Sequence, residues 1–160
     1  MLWQLSAIEA CEQICGGLVT SDELTAVCLE RISKTDSAIG AWSELEHDCA
    51  IQQATAMDEL RRRGRPVGPL HGVPVAISDD FNFPKQTLAP DDGGGPAVDL
   101  NVAVVEKLYE AGGVTLGKTV GSGLQFVGRD GVRNPHNAGH IAGGGAAAAV
   151  AAGHVPLSVV

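Results

Sequence analysis

The sequence predicts an α/β protein, a sheet covered by helices on both faces, and three observations predict it. The run "VPVAI" is apolar and β-branched, as in strands buried on both sides. Stretches of helical periodicity alternate with such runs. Glycine and proline turns mark the changeovers. A chain of 160 residues is one domain's worth.

Helical signals dominate residues 1–65. Ser6 with Glu9 makes a capping box, and Gly16-Gly17 stops the helix it opens. Thr20 with Glu23 repeats the device ahead of Leu24, Val27, Cys28 and Ile32, which share one face. "GAWSELE" is a short candidate strand. A third helix, near His47 to Arg63, puts Ile51, Ala54, Met57 and Leu60 on one stripe, and Gly64 ends it. The cluster "RRRGR" (residues 61–65) sits at that helix end, where solvated positive charge suits the dipole.

Residues 66–160 read as an α/β part. A proline- and glycine-rich turn leads into "VPVAI", and "APDDGGGPAVDLN" is a loop. "VAVVEKLYEAGG" carries Val104, Val105, Leu108 and Ala111 at helical spacing, with Gly112 as its stop; Val114-Thr115-Leu116 is a strand. A glycine-rich loop through Arg133-Asn134-Pro135-His136 follows. "IAGGGAAAAVAAG" then reads as a glycine loop entering a small-residue helix, and "VPLSVV" as a last strand.

Residues Gly112 to Thr119 match the phosphate-cradling pattern G-x-x-x-x-G-K-[ST]. A P-loop lies between a strand and the helix that follows it; here a helix precedes and the motif itself reads as strand. No apolar strand ending in aspartate follows to supply a second magnesium ligand. Nucleotide binding at Gly112–Thr119 is therefore the weakest of the functional readings.

The net charge of −8 opposes a nucleic-acid partner, which needs a basic face. No secretory signal precedes the first helix and no apolar run reaches membrane-spanning length, so a cytoplasmic protein is expected. Cys11 and Cys15 share a helix face and would hold a metal if His47 or Cys49 joined them. The expectation is instead that they are small, reduced, apolar core residues. His136 and His140 have a spacing that suits a metal on a helix, but Pro135 and Gly139 make the segment a loop. No metal and no cofactor is expected. Asp79-Asp80 reads as a turn cap facing water, and His71 as structural. "GGGAAAAV" reads as close backbone packing, with anion binding at a helix N-terminus as the alternative.

Five fragments, in order, resemble the amidase signature family, serine hydrolases that cleave carboxamide C–N bonds. They are "SDELTAVCLERI", "GPLHGVPVAI", "VVEKLYEAGGVTLGKT", "RNPHNAGH" and "GGGAAAAVAAGHVPL". "RNPHNAGH" is similar to malonamidase-like members. The resemblance implies the N-terminal portion of a fold with a mixed sheet flanked by helices. It also implies a Ser–cis-Ser–Lys mechanism, in which a desolvated neutral lysine takes the nucleophile's proton through the bridging serine and backbone N–H groups hold the oxyanion.

Carried over residue by residue, the family's lysine position is Ser78, between "VPVAI" and Asp79. The loop of the bridging serine is reduced to Gly143, Gly144 and Gly145 and holds no serine. The nucleophile falls beyond Val160. The segment from Phe126 to Arg133 is also shorter than the family usually shows. The chain is thus a degenerate relative, a fragment of a longer gene, or an engineered chain. Losing one triad member commonly costs roughly 10⁴–10⁶ in turnover. Catalysis by this chain alone is not expected, although Gly143, Gly144 and Gly145 remain candidate contacts to a small amide substrate. The alternative is a non-catalytic binding or assembly module, since an unpaired apolar sheet edge invites self-association or a C-terminal partner chain.

Overall fold

A computed structural model of the chain describes residues 1–81, 100–121 and 131–160. Its elements are α1 (Ala7–Cys15), α2 (Ser21–Ile39), β1 (Trp42–Leu45), α3 (His47–Arg62), β2 (Pro74–Ser78) and α4 (Leu100–Glu110). They continue with β3 (Val114–Thr119), β4 (Arg133–Asn134), β5 (Asn137–Ile141), α5 (Gly145–Ala151) and β6 (Leu157–Val159). The main sheet has the order β1-β3-β2-β6, with β2 parallel to both neighbours and β1 antiparallel to β3. The sheet is therefore mixed and flanked by helices. The loop expected at "APDDGGGPAVDLN" lies outside the described residues up to position 99; beyond it, Leu100 already belongs to α4.

Both capping boxes form. The Glu9 and Glu23 N–H groups donate to the Ser6 and Thr20 hydroxyls, while each carboxylate accepts the cap residue's own N–H at 2.8 and 2.9 Å. Helix α2 ends on Gly40 with φ 70°, a left-handed cap. Leu24, Cys28 and Ile32 go into the core, as the periodicity predicts, with Val27 half-buried.

The stripe expected on α3 is rotated. The buried residues are Ala50, Ala54 and Asp58, while Ile51, Met57 and Leu60 are only half-buried. Asp58, 3% exposed, explains the rotation. Its carboxylate accepts the Ser21 and Asp22 N–H groups at 2.9 and 3.0 Å, so a residue of one helix caps the N-terminus of another. The small alanines let the two helices approach.

Gly117 accounts for the misleading motif. Its φ is 147°, and a Cβ there would lie 2.2 Å from the Glu44 carbonyl oxygen. The register of β3 against β2 shifts at this point, and that of β1 against β3 shifts next to it, opposite Lys118 and Thr119. The "LGKT" glycine serves a bulge in a strand, and Gly112 ends α4.

The segment expected as a glycine-rich loop from Arg133 instead forms a two-stranded hairpin, β4 with β5. Asn134 and Asn137 side chains accept the His136 and Gly139 N–H groups at 2.9 and 3.2 Å, which closes the turn.

A buried hydrogen-bond chain ties three regions together. The Trp42 indole N–H donates to His154 Nδ1 at 3.1 Å. An indole can only donate, so the proton of neutral His154 sits on Nε2 and goes to Thr35 Oγ1 at 2.7 Å. The Thr35 hydroxyl in turn donates to the Arg31 carbonyl at 2.8 Å. Burial, aided by the Arg31 charge, pushes the His154 pKa down to about 4. The Arg31 guanidinium donates to the Ala152 carbonyl and lies 3.7 Å over the Trp3 ring. β1, α2 and the end of α5 are thus held by side chains far apart in sequence.

Candidate functional site

The carboxyl end of the parallel strands gathers the positions singled out from sequence, as open α/β sheets do with their ligand sites. Ser78 ends β2 and pairs in register with Thr119, the last residue of β3. Val120 and Gly121 follow β3. The Gly145 N–H donates to the Val120 carbonyl at 2.8 Å, which brings Gly143–Gly145 to the same end. Val159 of β6 pairs with Ile77, one residue short of Ser78. So the position expected for the lysine and the remnant of the serine loop converge, and β6 points its last residues toward them.

Ser78 is 2% exposed. Its hydroxyl donates to Asp80 Oδ2 at 3.1 Å and accepts the Asp80 N–H at 3.3 Å. Asp79 Oδ1 accepts the Gly121 N–H at 2.7 Å. A Cβ on Gly121 would lie 2.6 Å from Asp79 Oδ1 and 2.7 Å from Asp80 Oδ1, so a larger residue there would have to displace both carboxylates. The pair therefore braces two strand ends, in keeping with the turn-cap reading. Sequence reading missed Gly121, because nothing local to it reveals a contact 42 residues away.

The three glycines differ. Gly145 is wedged in: a Cβ there would lie 2.2 Å from the Ala41 carbonyl oxygen and 2.6 Å from the Val120 nitrogen. Its N–H is already committed to Val120, which favours close packing over anion binding. Gly143 has nothing within 4 Å of its Cβ position and is exposed. Gly144 caps α5 in an extended conformation without a side-chain bond.

The metal candidates separate. Among the described residues no group of three His, Cys, Asp or Glu side chains could hold an ion, so neither His47 nor Cys49 joins Cys11 and Cys15. Cys11 is half-buried and Cys15 exposed, which corrects the expectation that both are core residues. Their helix is short and turns its Cys15 edge away from the core. His136 and His140 lie on a hairpin turn and strand, both exposed. His71 is fully buried, its Nδ1 accepts the Val67 N–H at 3.1 Å, and burial lowers its pKa. Arg62, Arg63 and Arg65 are solvated, whereas Arg61 folds against Gly17. No helix among the described residues is long and apolar enough to cross a membrane. Of the shortened segment from Phe126 to Arg133, positions 126–130 lie outside the described residues.

Comparison with known proteins agrees with this architecture. The Amidase family model matches residues 23–159. A glutamyl-tRNA(Gln) amidotransferase subunit of Chloroflexus aurantiacus is 36% identical over 169 residues, covering 99% of this chain and 35% of that protein. The corresponding protein of Thermobifida fusca is 36% identical, covering 98% and 34%. The native peptide amidase of Stenotrophomonas maltophilia superposes with a TM-score of 0.75 at 30% identity, over 95% of this chain and 35% of that enzyme. The chain spans about a third of the length of the curated relatives it matches. With its fold and its sequence pointing the same way, the chain belongs to the amidase signature family.

Proposed function

We propose that this chain is an amidase-family module that keeps the sheet and its ligand end but does not hydrolyse amides through a Ser–cis-Ser–Lys relay. Ser78 carries the reading. It occupies the position where the resemblance expects lysine, and its hydroxyl is buried and bonded to Asp80. A desolvated amine can be neutral near pH 7 and accept a proton; a serine hydroxyl has no such basicity. Gly143–Gly145 and the alanines that follow offer no hydroxyl to relay a proton. A small carboxamide remains the ligand class, with Gly143 and Gly144 as contacts.

The test is ammonia release from malonamate and other simple amides by the purified chain and by Ser78→Ala. The expected result is no release above a mock preparation for either protein. Release by the wild-type chain that Ser78→Ala abolishes would overturn the reading.

A second reading, action through self-association or a partner chain, has its own observation. Strand β6 bonds to β2 and forms an edge of the described sheet, with Leu157 and Val159 half-buried. Such an edge is a template for another strand. Solution mass measured by light scattering decides it: an oligomer supports this reading, and a monomer at high concentration removes self-association.

A further inference from the structure

We propose that Cys11 and Cys15 form a chelating dithiol site for trivalent organoarsenic, a soft centre that takes two thiols and leaves an uncharged adduct. The two Sγ atoms lie 3.9 Å apart on α1, one half-buried and the other exposed, and both are free thiols. Direct oxidation fits this geometry poorly. A disulfide needs its sulfurs about 2.05 Å apart and its Cβ atoms about 3.8 Å apart, whereas helix neighbours at i, i+4 hold their Cβ atoms about 5–6 Å apart. A single bridging atom fits well, because two bonds to sulfur of about 2.3 Å each span the gap without unwinding the helix.

Ligand number selects among bridging atoms. Among the described residues no third His, Cys, Asp or Glu joins the pair, so a tetrahedral zinc site is not met. Charge selects further. Cys15 is the last residue of α1, where the helix dipole disfavours anions. Burial and the adjoining Cys15 raise the Cys11 pKa, and Glu12 acts in the same direction. Two thiolates on a monovalent ion would leave a net negative charge here. An arsonous acid, R–As(OH)2, leaves none: each hydroxyl takes one thiol proton and departs as water. Two S–H and two As–O bonds break, two As–S and two O–H bonds form, and arsenic stays trivalent throughout.

The other thiols lack these properties. Cys28 is buried and its pKa is pushed up to about 12, and Cys49 is exposed on a different helix.

The experiment treats the reduced, folded chain with phenylarsine oxide, washes it with a large excess of a monothiol, and reads intact mass. The expected result is one phenylarsenic group per chain, stable to monothiol and removed by a dithiol, with the helical circular dichroism unchanged. Cys11→Ser, Cys15→Ser and Cys15→Ala should each weaken retention about a hundredfold or more, the usual value of a second tethered contact. Cys49→Ser should retain the group. Circular dichroism of each variant separates loss of the site from loss of the fold. Retention by folded Cys15→Ser at the wild-type level, or its loss in Cys49→Ser, would overturn the proposal.

Discussion

Acidification should destabilise this fold through His154, and the structure sets the size of the effect. The imidazole is fully buried, with Nδ1 facing the Trp42 N–H and Nε2 facing Thr35 Oγ1. Protonating Nδ1 sets one N–H against another, so the charged form loses a bond as well as its hydration. The folded pKa falls from the ordinary 6.5 to about 4, so the unfolded chain binds the proton more readily. The contribution is therefore fully present above pH 6.5 and is lost as pH falls toward about 4. A difference of that size, at about 1.4 kcal/mol per pKa unit, is about 3 kcal/mol. The assay is urea unfolding of the wild-type chain and His154→Gln between about pH 8 and pH 4. Glutamine stays neutral throughout, and the two proteins share every other titrating group. Wild-type stability should fall by about 3 kcal/mol more than the variant's across that window. Equal losses in both proteins would refute the assignment of the acid response to His154.

Three further outcomes follow from the packing. Asp58→Ala removes the acceptor for two N–H groups at the buried start of α2 and should cost about 2–3 kcal/mol in urea unfolding; a cost near zero would mean water replaces the carboxylate. Gly145→Ala drives a methyl into the Ala41 carbonyl and should cost about 1–3 kcal/mol, while Gly143→Ala, with open space around it, should stay within about 0.5 kcal/mol; reversal of that order in thermal melts would contradict the placement of α5. Saturating ATP with magnesium should leave the Tm unchanged, since Gly112 ends a helix and Gly117 lies inside β3, and a rise would restore the phosphate reading.

Local chemistry accounts for what was legible beforehand. The cap residues Ser6 and Thr20 meet partners three positions away, and Gly64 and Gly112 adopt backbone conformations that glycine takes without strain. The apolar, β-branched run Val73–Ile77 reads as a strand covered on both faces, and the order of five fragments carried the family. That the resemblance expects the family's lysine at Ser78 needed no coordinates either. Tertiary structure alone decided which face of α3 turns inward, because Asp58 is drawn in by the start of α2, a helix 36 residues earlier. It alone decided that Trp42 and His154, 112 residues apart, share a proton-ordered chain, and that Gly121 lies against two carboxylates. Propensity and periodicity act over a turn or a strand, whereas burial and hydrogen-bond partners are set by whichever distant segment closes the gap.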